Sequence, residues 1–307
     1  MSNSIQLLII SDGKPGHENQ SLGLAEAIAR SRAAEIQLLR LDTTKNFLSR
    51  TSAALQQSKN YPKPDFVIST GHATHVPLLW LARYYRACSI VLMKPSLPLA
   101  WFGWCIAPEH DFPDLPGGKN LILSKGALNR VRVSRREKSG KLFLIGGPSK
   151  THGYDEDGLI GRISTIAKDG EWQVADSRRT PGTFITKLHE KLPGLAIFPH
   201  QQTEPGWLAE KLSEVEEVWV TEDSVSMIYE ALTSGARVGV LPMPRLKGDS
   251  RVIRGLEKLQ AEGYFINGFS GEDFDAPACD RPVLAEADRC AAEILRARDR
   301  ATRLHEQ

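Results

Sequence analysis

Cysteine is scarce in this chain. Cys88, Cys105, Cys279 and Cys290 are the four among 307 residues, and no two form a CxxC pair. Neither a zinc-binding pattern nor a disulfide framework follows, and the scarcity fits a reducing cytoplasm. An excess of one charge is also missing: 39 basic against 37 acidic residues leave +2, too little to argue for a nucleic-acid partner. No stretch approaches the run of about 20 apolar residues that a membrane-spanning helix needs. The opening MSNSIQLLIISDG lacks the basic start and long apolar run of a secretory signal. The expectation is a soluble, cytoplasmic protein, attached at most to the inner face of a membrane. Neither GxGxxG nor GxxxxGK[ST] occurs, so a dinucleotide site or a P-loop ATPase is not supported.

What the sequence does contain is alternation. With 41% hydrophobic and 25% charged residues it can bury a core, and its length suits two domains of ordinary size. Short β-branched runs near 5–10, 35–41, 65–69, 89–93 and 104–107 read as strands, with helical patterns near 20–31, 46–57 and 74–86 between them. After residue 110 comes a basic stretch with Lys119, Lys125, Arg130, Arg132, Arg135, Arg136, Lys138 and Lys141, read as a solvated linker in preference to a ligand-binding patch. The alternation then restarts. Strands are expected near 141–145, 172–176, 195–199, 217–221 and 237–241, and helices near 156–168, 182–192, 205–214, 224–234 and 250–261. The pattern predicts an α/β protein of two Rossmann-like domains, 1–135 and 136–283, with parallel sheets facing a cleft. A final helix, 284–307, can pack back on the first domain.

Open parallel sheets bind ligands beyond the carboxyl ends of their strands, so the segments after each strand carry the functional reading. In the first domain these include Ser11-Asp12-Gly13-Lys14-Pro15-Gly16-His17, Gly71-His72-Ala73-Thr74-His75 and Lys94-Pro95-Ser96. In the second they are Gly146-Gly147-Pro148-Ser149, Asp176-Ser177-Arg178-Arg179-Thr180, Pro199-His200 and Thr221-Glu222-Asp223-Ser224. Glycine turns before helices expose N–H groups that suit phosphate, and Gly13 with Gly16, and Gly146 with Gly147, are expected to precede helices. Arg178 and Arg179 could neutralise phosphate or simply be exposed arginines. His17 is a candidate general base with Asp12 as the alternative, although a loop histidine more often only bonds the backbone. Asp155, Glu156 and Asp157 read as acids favoured at a helix start. His72 and His75 lack a third ligand, so no metal is expected. The apolar segment from Leu97 to Trp104 reads as core, or as a patch that meets a lipid-linked acceptor or a membrane. The helix after residue 223 should turn Asp223, Ser226, Met227 and Glu230 to one side and Val225, Ile228 and Leu232 to the other, ending at Gly235.

Three motifs, SDGKPGHENQSLGLAEAI, DSRRTP and TEDSVSMIYEA, span most of the chain in that order. Together they resemble the mitochondrial-fission ELM-type family. That resemblance implies the GT-B glycosyltransferase architecture, usually metal-independent, with a nucleotide-sugar as substrate, no cofactor, and the donor held mainly by the C-terminal domain. The transferase that adds N-acetylglucosamine in peptidoglycan synthesis has a donor segment running Ser, helix, Glu, five steps to Gly, seven to Pro. Here Glu230, Gly235 and Pro242 keep those steps. By that likeness Glu230 corresponds to the ribose-binding acid, while Ser224 and Ser226 at the helix start, with Gly146 and Gly147, correspond to the diphosphate loops. Ser149, Ser177, Arg178, Arg179, Thr180, Glu222, Asp223 and Met227 complete the donor side. Gly13, Lys14, Gly16, Gly71, His72 and Lys94 form the acceptor side, with His17 or Asp12 as base. The HxGxGT-like donor signature is absent, and Glu222-Asp223 places two acids where many such enzymes have neutral residues. The implied function is a glycosyltransferase acting on a cell-envelope acceptor. The alternatives are a nucleotide-sugar 2-epimerase, or a non-catalytic adaptor like the plant relatives.

Overall fold

A computed structural model describes residues 4–112, 118–134, 137–168, 170–204, 206–246, 251–267 and 282–305. Cys279, Arg135 and Arg136 lie outside them. The chain forms two compact units, one from Met1–Arg130 with Ala285–Gln307, the other from Val131–Leu284.

The first unit alternates β1 (Ile5–Ser11), α1 (Pro15–Ser31), β2 (Ala34–Arg40), α2 (Phe47–Ser58), β3 (Phe66–Thr70), α3 (His75–Tyr85), β4 (Cys88–Leu92), β5 (Trp104–Pro108) and β6 (Leu121–Ser124). All pairings are parallel, in the order β2-β1-β3-β4-β5-β6. The period-2 geometry of β1 explains why both faces are apolar. Ile5, Leu7 and Ile9 join Leu24 and Ile28 of α1 on one face. Leu8 and Ile10 join Ala54 of α2 and Leu78 and Leu81 of α3 on the other. Each such leucine or isoleucine, fully buried, contributes about 1.5–3 kcal/mol.

The second unit holds β7 (Lys141–Leu144), α4 (Glu156–Ile166), β8 (Trp172–Ala175), α5 (Gly182–Lys191), β9 (Ala196–Phe198), α6 (Trp207–Glu214), β10 (Glu217–Thr221), α7 (Val225–Ser234), β11 (Arg237–Leu241), α8 (Arg251–Ala261) and β12 (Ile266–Asn267). Its sheet, also parallel throughout, runs β12-β11-β10-β7-β8-β9. The last helix, α9 (Glu286–His305), belongs to the first unit. Cys290, Ala291 and Ile294 pack into the core beside α1. Around them Arg30 pairs with Asp288, Arg32 with Asp299 and Arg298 with Asp65.

Several expectations need correction. The helix α1 begins at Pro15, not near residue 20, so Gly16 and His17 lie inside its first turn and only Gly13 precedes it. Proline at the first helical position presets the backbone angle and loses no needed donor there. The basic stretch after residue 110 is not only a solvated linker, because it contains β6, bonded along the edge of the first sheet. Lys138 in the same stretch is half-buried and donates to the carbonyls of Leu212 and Ser234 at 3.0 and 2.7 Å. Burial lowers its pKa to about 8. The segment from Leu97 to Trp104 divides: Phe102 is core and Leu99 is packed against it, while Trp101 faces solvent. Among the described residues no helix is long and apolar enough to cross a membrane.

Candidate functional site

In the first unit, the polar residues gather where β1 and β3 end. Asp12 follows β1 and is buried. It accepts a hydrogen bond from the Lys14 N–H at 3.2 Å and has the Lys14 ammonium 3.6 Å away. Both its oxygens lie 3.0 Å from His17 Nδ1. An ionised carboxylate only accepts, so Nδ1 is the donor of the pair, and in the neutral imidazole Nε2 is then the lone-pair nitrogen. That ring is 25% exposed, and among the described residues nothing bonds Nε2. The turn is held by Gly13 N–H donating to Ser11 Oγ at 2.9 Å, while Ser11 Oγ donates to Glu18 at 2.7 Å. Arg40 grips Glu18 through two nitrogens and holds its carboxyl below the usual range.

Gly71, after β3, has φ +98°, and a Cβ there would sit 2.5 Å from His17 Nδ1. Glycine is needed twice over, for the left-handed backbone and for the close approach. His72 Nδ1 and His75 Nδ1 both reach Ser96 Oγ, at 3.1 and 3.3 Å. Burial, with a smaller contribution from His72, lowers the His75 pKa to about 4. Lys94 donates to the Asp111 carbonyl at 3.1 Å and lies over the Phe112 ring.

The second unit gathers its charges after β7, β8 and β10. Asp223 is fully buried as a side chain, and three groups converge on its Oδ2: Arg179 Nη2 at 2.7 Å, Gly147 N–H at 3.0 Å and the Ser224 hydroxyl at 3.0 Å. Gly146 N–H donates to Thr221 Oγ1 at 2.7 Å. The two glycine amides expected to hold diphosphate are therefore already bonded within the protein. Their lack of a side chain has another cause. A Cβ on Gly147 would overlap the Arg179 carbonyl, and one on Gly146 would overlap Asp223 and Ser224. Thr180 Oγ1 bonds the Ile145 and Gly146 carbonyls and Ser177, so DSRRTP is tied to the glycine loop. Ser149 is likewise committed, accepting from Thr151 and His152 N–H.

Glu222 is buried and held by Arg245, whose Nε donates to it at 2.8 Å, and by Met243 N–H at 3.2 Å. Its carboxylate raises the Arg245 pKa, and His152 Nε2 stands 3.8 Å away. This acid braces the β10 and β11 ends. Sequence spacing could not reveal its partner, 23 residues on. Arg178 and Ser226 are exposed, whereas Met227 and Glu230 are half-buried on α7. Asp155 caps α4 by accepting from Gly158 N–H at 3.0 Å. One pair escaped the sequence reading: His200 Nδ1 lies 3.0 Å from Asp176 Oδ1, at the ends of β9 and β8. Among the described residues no cluster of three His, Cys, Asp or Glu is placed to hold a metal.

Comparison with known proteins places this arrangement. The mitochondrial fission ELM1 family matches residues 15–298, from the start of α1 into α9. The chain belongs to that family. A curated relative, "Uncharacterized protein RP120" of Rickettsia prowazekii (strain Madrid E), is 25% identical over 288 residues, covering 75% of this chain and 81% of its own. Among solved structures, a protein assigned as a UDP-N-acetylglucosamine 2-epimerase from Listeria monocytogenes has TM-score 0.63 at 12% identity, covering 99% of this chain and 98% of that one. UDP-GlcNAc 2-epimerase from Neisseria meningitidis bound to UDP-GlcNAc gives 0.59 at 8% identity, covering 96% and 99%. Glycosyltransferase SnogD from Streptomyces nogalater gives 0.51 at 13%, covering 96% and 95%. The ELM1 chain therefore has the GT-B fold of these glycosyltransferases and epimerases.

Proposed function

We propose that this ELM1-family chain is a glycosyltransferase that passes a sugar from a nucleotide donor to a cell-envelope acceptor, without a metal ion, at the cytoplasmic side. The observation that carries the reading is the Asp12–His17 pair, where a buried carboxylate sets the tautomer and leaves Nε2 unbonded at a strand's carboxyl end. The fold shared with SnogD, a glycosyltransferase, supports it, as does the fold shared with an epimerase bound to UDP-GlcNAc. In this reading His17 Nε2 takes the proton of an acceptor hydroxyl. The oxygen bonds to the anomeric carbon, and the nucleoside diphosphate leaves with the electrons of the broken bond. Gly13, Lys14, Gly71, His72 and Lys94 shape the acceptor side. Glu230 takes the ribose, and Ser224, Ser226, Arg178 and Arg179 take the phosphates at the start of α7. Asp223 already draws on Gly147, Ser224 and Arg179. A diphosphate entering there has to take over these donors, so Asp223 weakens donor binding.

The test is calorimetry of uridine, cytidine and guanosine diphosphates and their sugars against wild type, Glu230→Ala and His17→Ala. Binding lost in Glu230→Ala and kept in His17→Ala supports the roles. No binding by any of the three proteins defeats the donor site and leaves an adaptor. The 2-epimerase reading is supported by the fold shared with UDP-GlcNAc 2-epimerases; it requires two acid–base groups at the sugar and no acceptor. Incubating a nucleotide sugar alone and following its epimer by NMR separates the two enzymes.

A further inference from the structure

From Phe66 to Pro108 the sequence contains no aspartate or glutamate, yet it carries Arg83, Arg86 and Lys94. The outer side of α3 lies in this span. Trp80 and Tyr84, one helical turn apart, are 63% and 56% exposed, with Arg83 between them. Trp101 is 61% exposed and lines one open depression with Arg83 and Arg86. Four other arginines of this unit, by contrast, are paired with acids: Arg30 with Asp288, Arg32 with Asp299, Arg40 with Glu18 and Arg130 with Glu26. Arg83 and Arg86 have no acidic partner among the described residues. The aromatics are carried on firm supports. Tyr84 packs edge-on against Tyr85, whose hydroxyl bonds Ser58, and Trp101 is flanked by Leu99 and Phe102, which pack into the core.

We infer that this face, Trp80, Arg83, Tyr84, Arg86 and Trp101, docks on an anionic lipid surface. Charge complementarity selects the occupant. Two unpaired guanidiniums in an acid-free region match lipid phosphates, and indole and phenol rings prefer the headgroup level, where one edge is wet and the other apolar. A second copy would oppose arginine to arginine on the same face. Commitment of the patch to lipid does not depend on the catalytic reading.

The experiment is co-sedimentation of the full chain with vesicles of phosphatidylcholine alone and of phosphatidylcholine with phosphatidylglycerol, with tryptophan emission as a second readout. Wild type is expected to bind only the anionic vesicles, more weakly as salt rises, with a blue shift in emission. Arg83→Glu with Arg86→Glu is expected to lower binding at least about 20-fold, from the attraction carried by two basic residues near a charged surface. Trp80→Ser with Trp101→Ser is expected to abolish the blue shift. All four positions are exposed, so unchanged melting confirms folding. Absence of wild-type binding overturns the inference, as does equal binding by the charge-reversed variant. So does a dimer in sedimentation velocity that the tryptophan pair dissolves while lipid binding stays intact, which would make the face a contact between copies.

Discussion

Asp12 and Asp223 sit at matching places, each buried just past a strand inside its sheet, yet they serve opposite ends. Asp12 faces His17, a ring whose second nitrogen remains unbonded among the described residues. Asp223 faces Arg179, whose guanidinium also reaches the Gly147 carbonyl and Ser224. The first pair holds up a group able to accept a proton. The second consumes its own donors and knits three loops together. One edge leaves a ring nitrogen unbonded among the described residues, while the donors of the other are already taken up by a buried carboxylate.

The glycines bracket that difference most strongly. Gly147→Ala drives a Cβ into the Arg179 carbonyl, a backbone atom that cannot rotate away. A loss of about 3–5 kcal/mol is expected, with hydrogen-exchange protection falling across the second unit. Gly71→Ala meets the movable His17 ring instead, and adds strain at φ +98°. About 1–3 kcal/mol is expected there, with the first unit still folded and His17 displaced. Equal losses would show that the two loops are equally rigid.

Acidification should act next. His75 is buried in the first unit, with a pKa lowered to about 4 by burial first and by His72 second. The unfolded chain takes up its proton near 6.5 and the folded chain only near 4. Stability is therefore full above pH 6.5 and declines as pH falls toward 4, with a slope of at most about 1.4 kcal/mol per unit. Thermal melts of wild type and His75→Asn across that window check this, and the variant should show the shallower decline.

Asp223→Asn keeps the shape of the second edge and removes its charge. Arg179 is partly exposed, so solvent screening limits the loss to about 1–2 kcal/mol. With the guanidinium no longer neutralised, affinity for uridine diphosphate should rise about tenfold in calorimetry. A fall in affinity would mean that Asp223 assists the ligand.

The alternation of strands and helices was legible because a buried parallel strand is apolar on both faces, as β1 and β10 are. The short β6 was hidden among basic residues, and β12 is only two residues long. The start of α1 was masked because GHENQ is polar, and the signal that decides it is Pro15. Site residues within one segment, Asp12 with His17, were legible as neighbours. The bonds that define the second edge were not. Asp223 meets Arg179 from another loop, Glu222 meets Arg245, and Asp176 meets His200, and no local pattern encodes such pairings.

The smallest effect on stability belongs to Asp12→Asn, and it bears most on chemistry. The amide is isosteric, and Lys14 N–H still has an oxygen to meet, so a change below about 1 kcal/mol is expected. The tautomer, however, is no longer forced. An amide can donate to His17 Nδ1 as readily as accept from it, and the proton then moves to Nε2. Nitrogen NMR of the imidazole should show Nδ1–H in the wild type and a mixture in the variant. If His17 is the base, transfer should fall about 10²- to 10⁴-fold with little change in nucleotide affinity. Full activity in a variant with a mixed tautomer would remove His17 from the reaction and return both aspartates to the same, purely architectural footing.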